Sequence, residues 1–259
     1  MKLLIVSAEP DKDIIRLDKK DYNYLVSVRR VKEGQVLKVS LNGVKPASAE
    51  VFKINTEKKY IELKLLKEEL ALEADAEPYK LRAEIILMQW LIKGNHMDIA
   101  VRQAAEAGCS LIVPVLGEFS VIKKENINQT ERRERIIREA RQQSGSLINT
   151  KILPAQELKA ALDSVLDYTA NRKTAFIMLS EKKTDSFSFF DCLSAETEAI
   201  VLAIGCEGGI GSKEIEFLKE HNFEEVHFNT NVLRAETAAI YSIAAAQVIM
   251  EEKGGCKKN

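Results

Sequence analysis

The chain is poor in the residues that build metal cages and disulfide frameworks. Four cysteines (Cys109, Cys192, Cys206 and Cys256) and three histidines (His96, His221 and His227) are scattered over 259 residues. Without a CxxC pair or a histidine at ligand spacing, the cysteines read as free thiols and no metal is expected. Long hydrophobic runs are missing too, since no window reaches the roughly 18 apolar residues of a membrane span. The apolar start Met1–Val6 is cut short by Glu9, Asp11, Lys12 and Asp13, which is too early for a cleavable leader. A cytoplasmic protein with no membrane partner is therefore expected. Both common nucleotide cradles are also absent: Gly211-Ser212-Lys213 is not the Gly-Lys-Ser/Thr of a P-loop, and the glycines from Gly205 to Gly209 do not fit GxGxxG.

What is present suffices for a large core, at 46% hydrophobic residues. The length exceeds the roughly 150 residues of one typical domain. Net charge is only −1, yet residues 1–70 hold 15 Lys and Arg against 11 Asp and Glu, while the remainder holds 23 against 28. That asymmetry suits a polyanion-binding N-terminal domain. From Gln35 to Lys67 apolar residues alternate with polar ones around the turn pair Asn42-Gly43, a strong hairpin signal. With strands at Leu3–Val6 and Ile14–Leu17 and a short helix within Asp18–Val28, a small β-barrel is expected over residues 1–70. A boundary is expected in the acidic stretch Glu68–Pro78.

Beyond it, apolar runs at Leu81–Trp90, Ser110–Leu116, Lys151–Leu153, Thr174–Ser180, Ala199–Ile204 and Val226–Phe228 alternate with helical stretches. The helices fall near 96–107, 125–143, 155–168, 212–221 and 235–251. This order predicts an α/β domain over residues 76–259, a parallel sheet with helices on both faces. In such sheets ligands bind beyond the carboxyl ends of the strands, where loops present free backbone groups. The loops 205–211 and 229–234 both lie there.

Those loops read Gly205-Cys206-Glu207-Gly208-Gly209 and Val232-Leu233-Arg234-Ala235-Glu236-Thr237. They resemble the GPEGG and ILRTETA motifs of the SPOUT methyltransferases, and within them the ribosomal RNA small subunit methyltransferase E family. Lys93-Gly94-Asn95-His96-Met97-Asp98 is similar to the family's KGxxMD segment. Glu106-Ala107-Gly108, Gln143-Ser144-Gly145 and Val28-Arg29-Arg30-Val31 fall in the family's order as well. Cys206, Asn229, Ala235, Gln103 and Ser146 depart from it, replacing respectively a proline, a glycine, a threonine, a lysine and an arginine.

The resemblance implies a trefoil-knotted C-terminal domain, a PUA-like N-terminal β-barrel, a homodimer, and S-adenosylmethionine (AdoMet) as methyl donor. It implies methylation of uracil N3 in 16S ribosomal RNA, with the small subunit and not DNA as partner. By motif, Leu179, Ser180, Ile204, Gly205, Glu207, Gly208, Gly209, Phe228, Asn229, Val232 and Leu233 would hold the donor. Arg234 would stabilise charge on the uracil anion, with Glu236 and Thr237 orienting it or the substrate. RNA contact is expected from Lys19, Lys20, Arg29, Arg30 and Lys32. The arginines between Arg132 and Arg141 read equally well as a phosphate-binding face or as a solvated face paired with Glu131, Glu134 and Glu139. His96, with no ligand spacing, reads as structural. Two alternatives stay open on sequence: an RNA-binding relative without methyl transfer, and a SPOUT enzyme acting on another nucleotide.

Overall fold

The structure is a computed structural model describing residues 3–6, 10–41, 45–66, 81–122, 124–182 and 188–255. It divides into two compact units, Met1–Lys80 with Arg141–Asn149, and Leu81–Ala140 with Thr150–Asn259. The expected Asn42-Gly43 turn and the Glu68–Pro78 boundary lie outside the described residues.

In the first unit, β1 (Leu4–Val6), β2 (Ile14–Asp18), β3 (Val36–Leu41), β4 (Lys45–Asn55) and β5 (Tyr60–Leu65) form one sheet in the order β1-β3-β4-β5-β2. Helix α1 (Lys19–Tyr22) and a π-helical turn over Asn23–Val28 follow β2. Alternate strand residues, among them Ile15, Leu17, Leu37, Val39, Ile61 and Leu63, converge on a core that also takes Tyr22 and Leu25. This is the period-two pattern of a sheet with one buried face. The register shifts between Val51 and Lys53, a bulge that increases local twist and curls the sheet.

The second unit holds an all-parallel sheet, built from β6 (Glu84–Trp90), β7 (Leu111–Leu116), β8 (Lys151–Ile152), β9 (Gln156–Glu157), β10 (Thr174–Leu179), β11 (Ala199–Ile204) and β12 (Glu224–Val226). Its order is β12-β10-β11-β6-β7-β8, with β9 also on β7. All six residues of β11 are buried, as are six of the seven in β6. Successive strand residues point to opposite faces, so both faces of the sheet must be covered. Helices α2 (His96–Glu106), α3 (Ile127–Ser144), α4 (Leu158–Thr169), α5 (Ser212–Glu220) and α6 (Ala235–Lys253) surround it. Helix α2 buries Met97, Ala100, Val101, Ala104 and Ala105, an i, i+3, i+4 stripe, and packs on α6, which itself lies on β11 and β6.

The arginines of α3 do not form a single solvated face. Arg133 is buried, with Nη1 2.6 Å from Glu125 Oε1, while Arg132 Nη2 stands 2.7 Å from Asp98 Oδ2. Arg141 is also buried, and its Nη1 donates to Asn149 Oδ1 at 2.9 Å. A buried guanidinium needs such partners, which takes these two out of reach of a phosphate backbone. The last strand is displaced as well: Glu224–Val226 pairs with β10, whereas the apolar segment expected to be a strand ran from Val226 to Phe228.

Candidate functional site

The carboxyl ends of β6, β10, β11 and β12 carry the residues singled out by motif. Gln89, fully buried near the end of β6, donates Nε2 to the carbonyls of Ile204 (3.2 Å), Gly205 (3.3 Å) and Trp90 (3.1 Å). One carboxamide thus anchors the exit of β11. There the chain turns at once: Gly209 N–H donates to the Cys206 carbonyl at 2.9 Å, and Gly209 takes φ +78°, where glycine carries no steric penalty. Cys206, in place of the family proline, is buried, and its thiol contacts the Gly209 carbonyl at 3.5 Å. Glu214, in the first turn of α5, ties the far side of the loop down. Its Oε2 accepts from Gly211 N (2.8 Å) and Trp90 Nε1 (3.1 Å), and its Oε1 accepts from Glu118 N (3.0 Å).

The facing wall forms where the chain leaves β12. Phe228 turns out of the sheet to lie 5.1 Å from the Phe189 ring and 5.0 Å from the Tyr241 ring. Between the two strand ends, His227 Nδ1 bonds the Ser180 carbonyl at 3.1 Å, and Lys219 Nζ lies 2.7 Å from Glu225 Oε2. Burial by itself would raise the Glu225 carboxyl. Hydrogen bonds from Lys219 and Ser180 and the charges of Lys219 and Lys182 outweigh it and hold the group below the ordinary Glu range. Arg234 caps α6, its carbonyl accepting from Ala238 N at 2.8 Å. Its side chain is exposed on the cavity and has no hydrogen-bond or ion-pair partner among the described residues. Two residues on, Glu236 Oε1 lies 2.9 Å from His96 Nδ1.

Together these walls enclose a cavity of about 1280 Å³. Leu179, Ser180, Ile204, Gly205, Glu207, Gly208, Gly209, Phe228, Val232, Leu233, Arg234 and Glu236 line it. Asn229 and Thr237 are exposed and do not line it. The lining also contains Lys93, His96 and Phe119. Of these, the backbone N–H of Lys93 donates to Glu207 Oε1 at 3.3 Å. In the first unit, Arg29, Arg30 and Lys32 are all exposed in the segment leaving the π-helical turn, and Lys19 and Lys20 open α1. Among the described residues, no group of three or more His, Cys, Asp or Glu is placed to hold a metal, and no helix is long and apolar enough to cross a membrane.

Comparison with known proteins agrees with this geometry. A family model of RNA methyltransferase domains matches residues 79–247, and one of RNA methyltransferase PUA domains matches residues 17–66. The chain is 32% identical over 249 residues to ribosomal RNA small subunit methyltransferase E 2 of Borreliella burgdorferi, covering 93% of this chain and 94% of that protein. It is 23% identical over 232 residues to ribosomal RNA small subunit methyltransferase E of Bacillus subtilis, covering 87% and 86%. The crystal structure of ribosomal RNA small subunit methyltransferase E from Neisseria gonorrhoeae, bound to S-adenosyl methionine, superposes with a TM-score of 0.79 at 22% identity, covering 96% of this chain and 98% of that one. The architecture is the expected one: one unit is a SPOUT-type α/β domain with a parallel sheet, and the other is a curled PUA-like sheet. The chain belongs to the ribosomal RNA small subunit methyltransferase E family.

Proposed function

We propose that this protein transfers the methyl group of AdoMet to N3 of a uracil in 16S ribosomal RNA. The observation that carries the reading is that the Gly205–Gly209 turn and the Val232–Glu236 segment, 23 or more residues apart in sequence, face one cavity.

The residues fit the donor. A Cβ on Gly205 would stand 2.6 Å from the Gly209 carbonyl carbon, and one on Gly208 would stand 2.8 Å from Phe119 Cβ, so the turn is built around bare backbone. Backbone N–H and C=O groups read the edges of an adenine, and apolar walls cover its faces. Leu179, Ser180, Ile204, Gly205, Glu207, Gly208 and Gly209 would hold the donor from one side, with Phe228, Val232 and Leu233 on the other. When bound, AdoMet supplies a methyl on a sulfonium, chemistry that needs no metal. Arg234, on the cavity wall and without a partner among the described residues, stabilises negative charge spread onto uracil O2 and O4. Glu236, in the same helical turn and on the same cavity wall, orients the reacting groups. Removing one preorganised donor of this kind costs about 10²–10³ in rate.

Residues 1–70 act as the PUA-like RNA-binding domain, with Lys19, Lys20, Arg29, Arg30 and Lys32 on phosphate. Residues 76–259 act as the knotted methyltransferase domain. Tyr241, Ala244 and Val248 are exposed at helical spacing on α6, an apolar stripe that suits a homodimer. A ribosomal substrate places the protein in the cytoplasm. Calorimetric titration of the purified protein with AdoMet tests the donor site. Saturation at about one site per chain is expected, and absence of binding at millimolar ligand would leave an RNA-binding relative without transfer.

A further inference from the structure

Methylation at N3 has a requirement that Arg234 does not meet: the N3–H proton must leave, and a guanidinium stays protonated in proteins. One arrangement on the cavity wall can accept it. His96 stands at the start of α2 and Glu236 in the first turn of α6, 140 residues later, with Nδ1 and Oε1 2.9 Å apart. The Glu236 side chain is 12% exposed and that of His96 37%, so the carboxylate lies inward and the ring keeps an open side. An ionised carboxylate only accepts, so Nδ1 carries the hydrogen of this bond, and in the neutral ring Nε2 is left with its lone pair. A carboxylate that fixes the tautomer of a histidine whose other nitrogen is open to a cavity is the arrangement of a general base. The Glu236 carboxylate, 2.9 Å from Nδ1, lies where it can stabilise the imidazolium that forms.

Resting on the donor and substrate assigned above, we propose that His96, oriented by Glu236, is the base that takes the uracil N3 proton. The N3–H bond breaks with its proton passing to His96 Nε2. The N3 lone pair forms the N–CH₃ bond as the S–CH₃ bond breaks, and that electron pair stays on sulfur as a neutral thioether. The imidazolium then returns its proton to water. Glu236 is a positioning residue in this step, and His96 a catalytic one. The other titratable and charged groups that line the same cavity are Lys93, Glu181, Lys182, Glu207, Glu216, Lys219, Glu225, His227 and Arg234. Asp98, two residues along α2, is engaged by Arg132 at 2.7 Å.

The test is single-turnover methyl transfer from AdoMet to unmethylated small ribosomal subunits between about pH 5 and about pH 8, where imidazoles titrate, with AdoMet affinity measured by calorimetry on each variant. His96→Gln is expected to lose about 10²–10⁴-fold in rate, to keep AdoMet affinity, and to lose the acid limb of the wild-type pH profile. Glu236→Gln, which keeps an acceptor without the charge, is expected to lose less. An H96Q enzyme that matches an active wild type in rate and acid limb overturns the dyad and leaves the methyltransferase reading standing. An H96Q enzyme whose AdoMet affinity falls in step with its rate makes His96 a binding residue and also overturns it. A wild type that neither binds AdoMet nor methylates the subunit overturns both.

Discussion

Replacing Gly205 by Ala probes the donor turn most sharply. The new Cβ would stand 2.6 Å from Gly209 C, 2.8 Å from Gly209 Cα and 3.0 Å from Gly209 O. Carbon atoms pack best at about 3.5–4.0 Å, so the overlap is roughly 1 Å against backbone, not against a side chain able to swing away. Relief is blocked on both sides: the Gly209 N–H to Cys206 carbonyl bond closes the turn, and Gln89 holds the Gly205 carbonyl from below. Overpacking of this kind costs about 1–3 kcal/mol. If the turn opens to accommodate it, the amides facing the cavity shift by a comparable distance, and AdoMet affinity should fall at least tenfold, about 1.4 kcal/mol. Gly211→Ala is the control, because its Cβ would meet the Glu118 carboxylate at 2.3 Å, the far end of a flexible side chain. Calorimetric titration together with thermal melts of the two variants reads both quantities. A G205A protein that melts and binds AdoMet as wild type does would refute the steric argument and the placement of the donor on this turn.

Two further perturbations follow from the same geometry. Gln89→Leu removes the donor serving two carbonyls at the exit of β11 and one at the end of β6; leaving such groups unpaired costs about 1–3 kcal/mol, which thermal melting should register as a drop of several degrees, and an unchanged melt contradicts the anchoring role. Glu225→Gln should destabilise the protein at neutral pH, because the folded carboxyl is held below its ordinary range. That stabilisation is present above the unfolded Glu value of about 4.3 and is lost as pH falls through the lower folded value, so urea unfolding curves of wild type and E225Q should converge in acid. A gap that persists there would mean that packing, not charge, made the difference.

Much of the second unit was legible because buried parallel strands are continuous apolar runs, and Ile85–Trp90 and Ala199–Ile204 have no other reading at that length. The last strand was misplaced by the same rule. Val226-His227-Phe228 is apolar enough for a strand, yet the sheet register uses Glu224 and Glu225, and Phe228 is spent on Phe189, Tyr241 and the cavity. The paired loops were found by motif, whereas what stiffens them was not. Gln89 and Glu214 each act on partners more than 90 residues away or across a turn, and no local pattern announces such contacts. The contact between His96 and Glu236 was invisible in the sequence for the same reason, since only the packing of α2 on α6 brings the two within reach. In α3 the interleaved charges left two readings balanced. Burial of Arg133 beside Glu125 and Asp98 was invisible to periodicity, because an arginine with a buried partner has the same spacing as a solvated one.

The identity of the modified atom decides what this protein does. Purified protein, AdoMet carrying a labelled methyl group and small ribosomal subunits from a strain lacking this modification should be combined. The ribosomal RNA is then digested to nucleosides and resolved by mass spectrometry against standards. Label is expected in 3-methyluridine, at a single site per subunit. Label in any other nucleoside, or binding of the subunit with no label transferred, would contradict it.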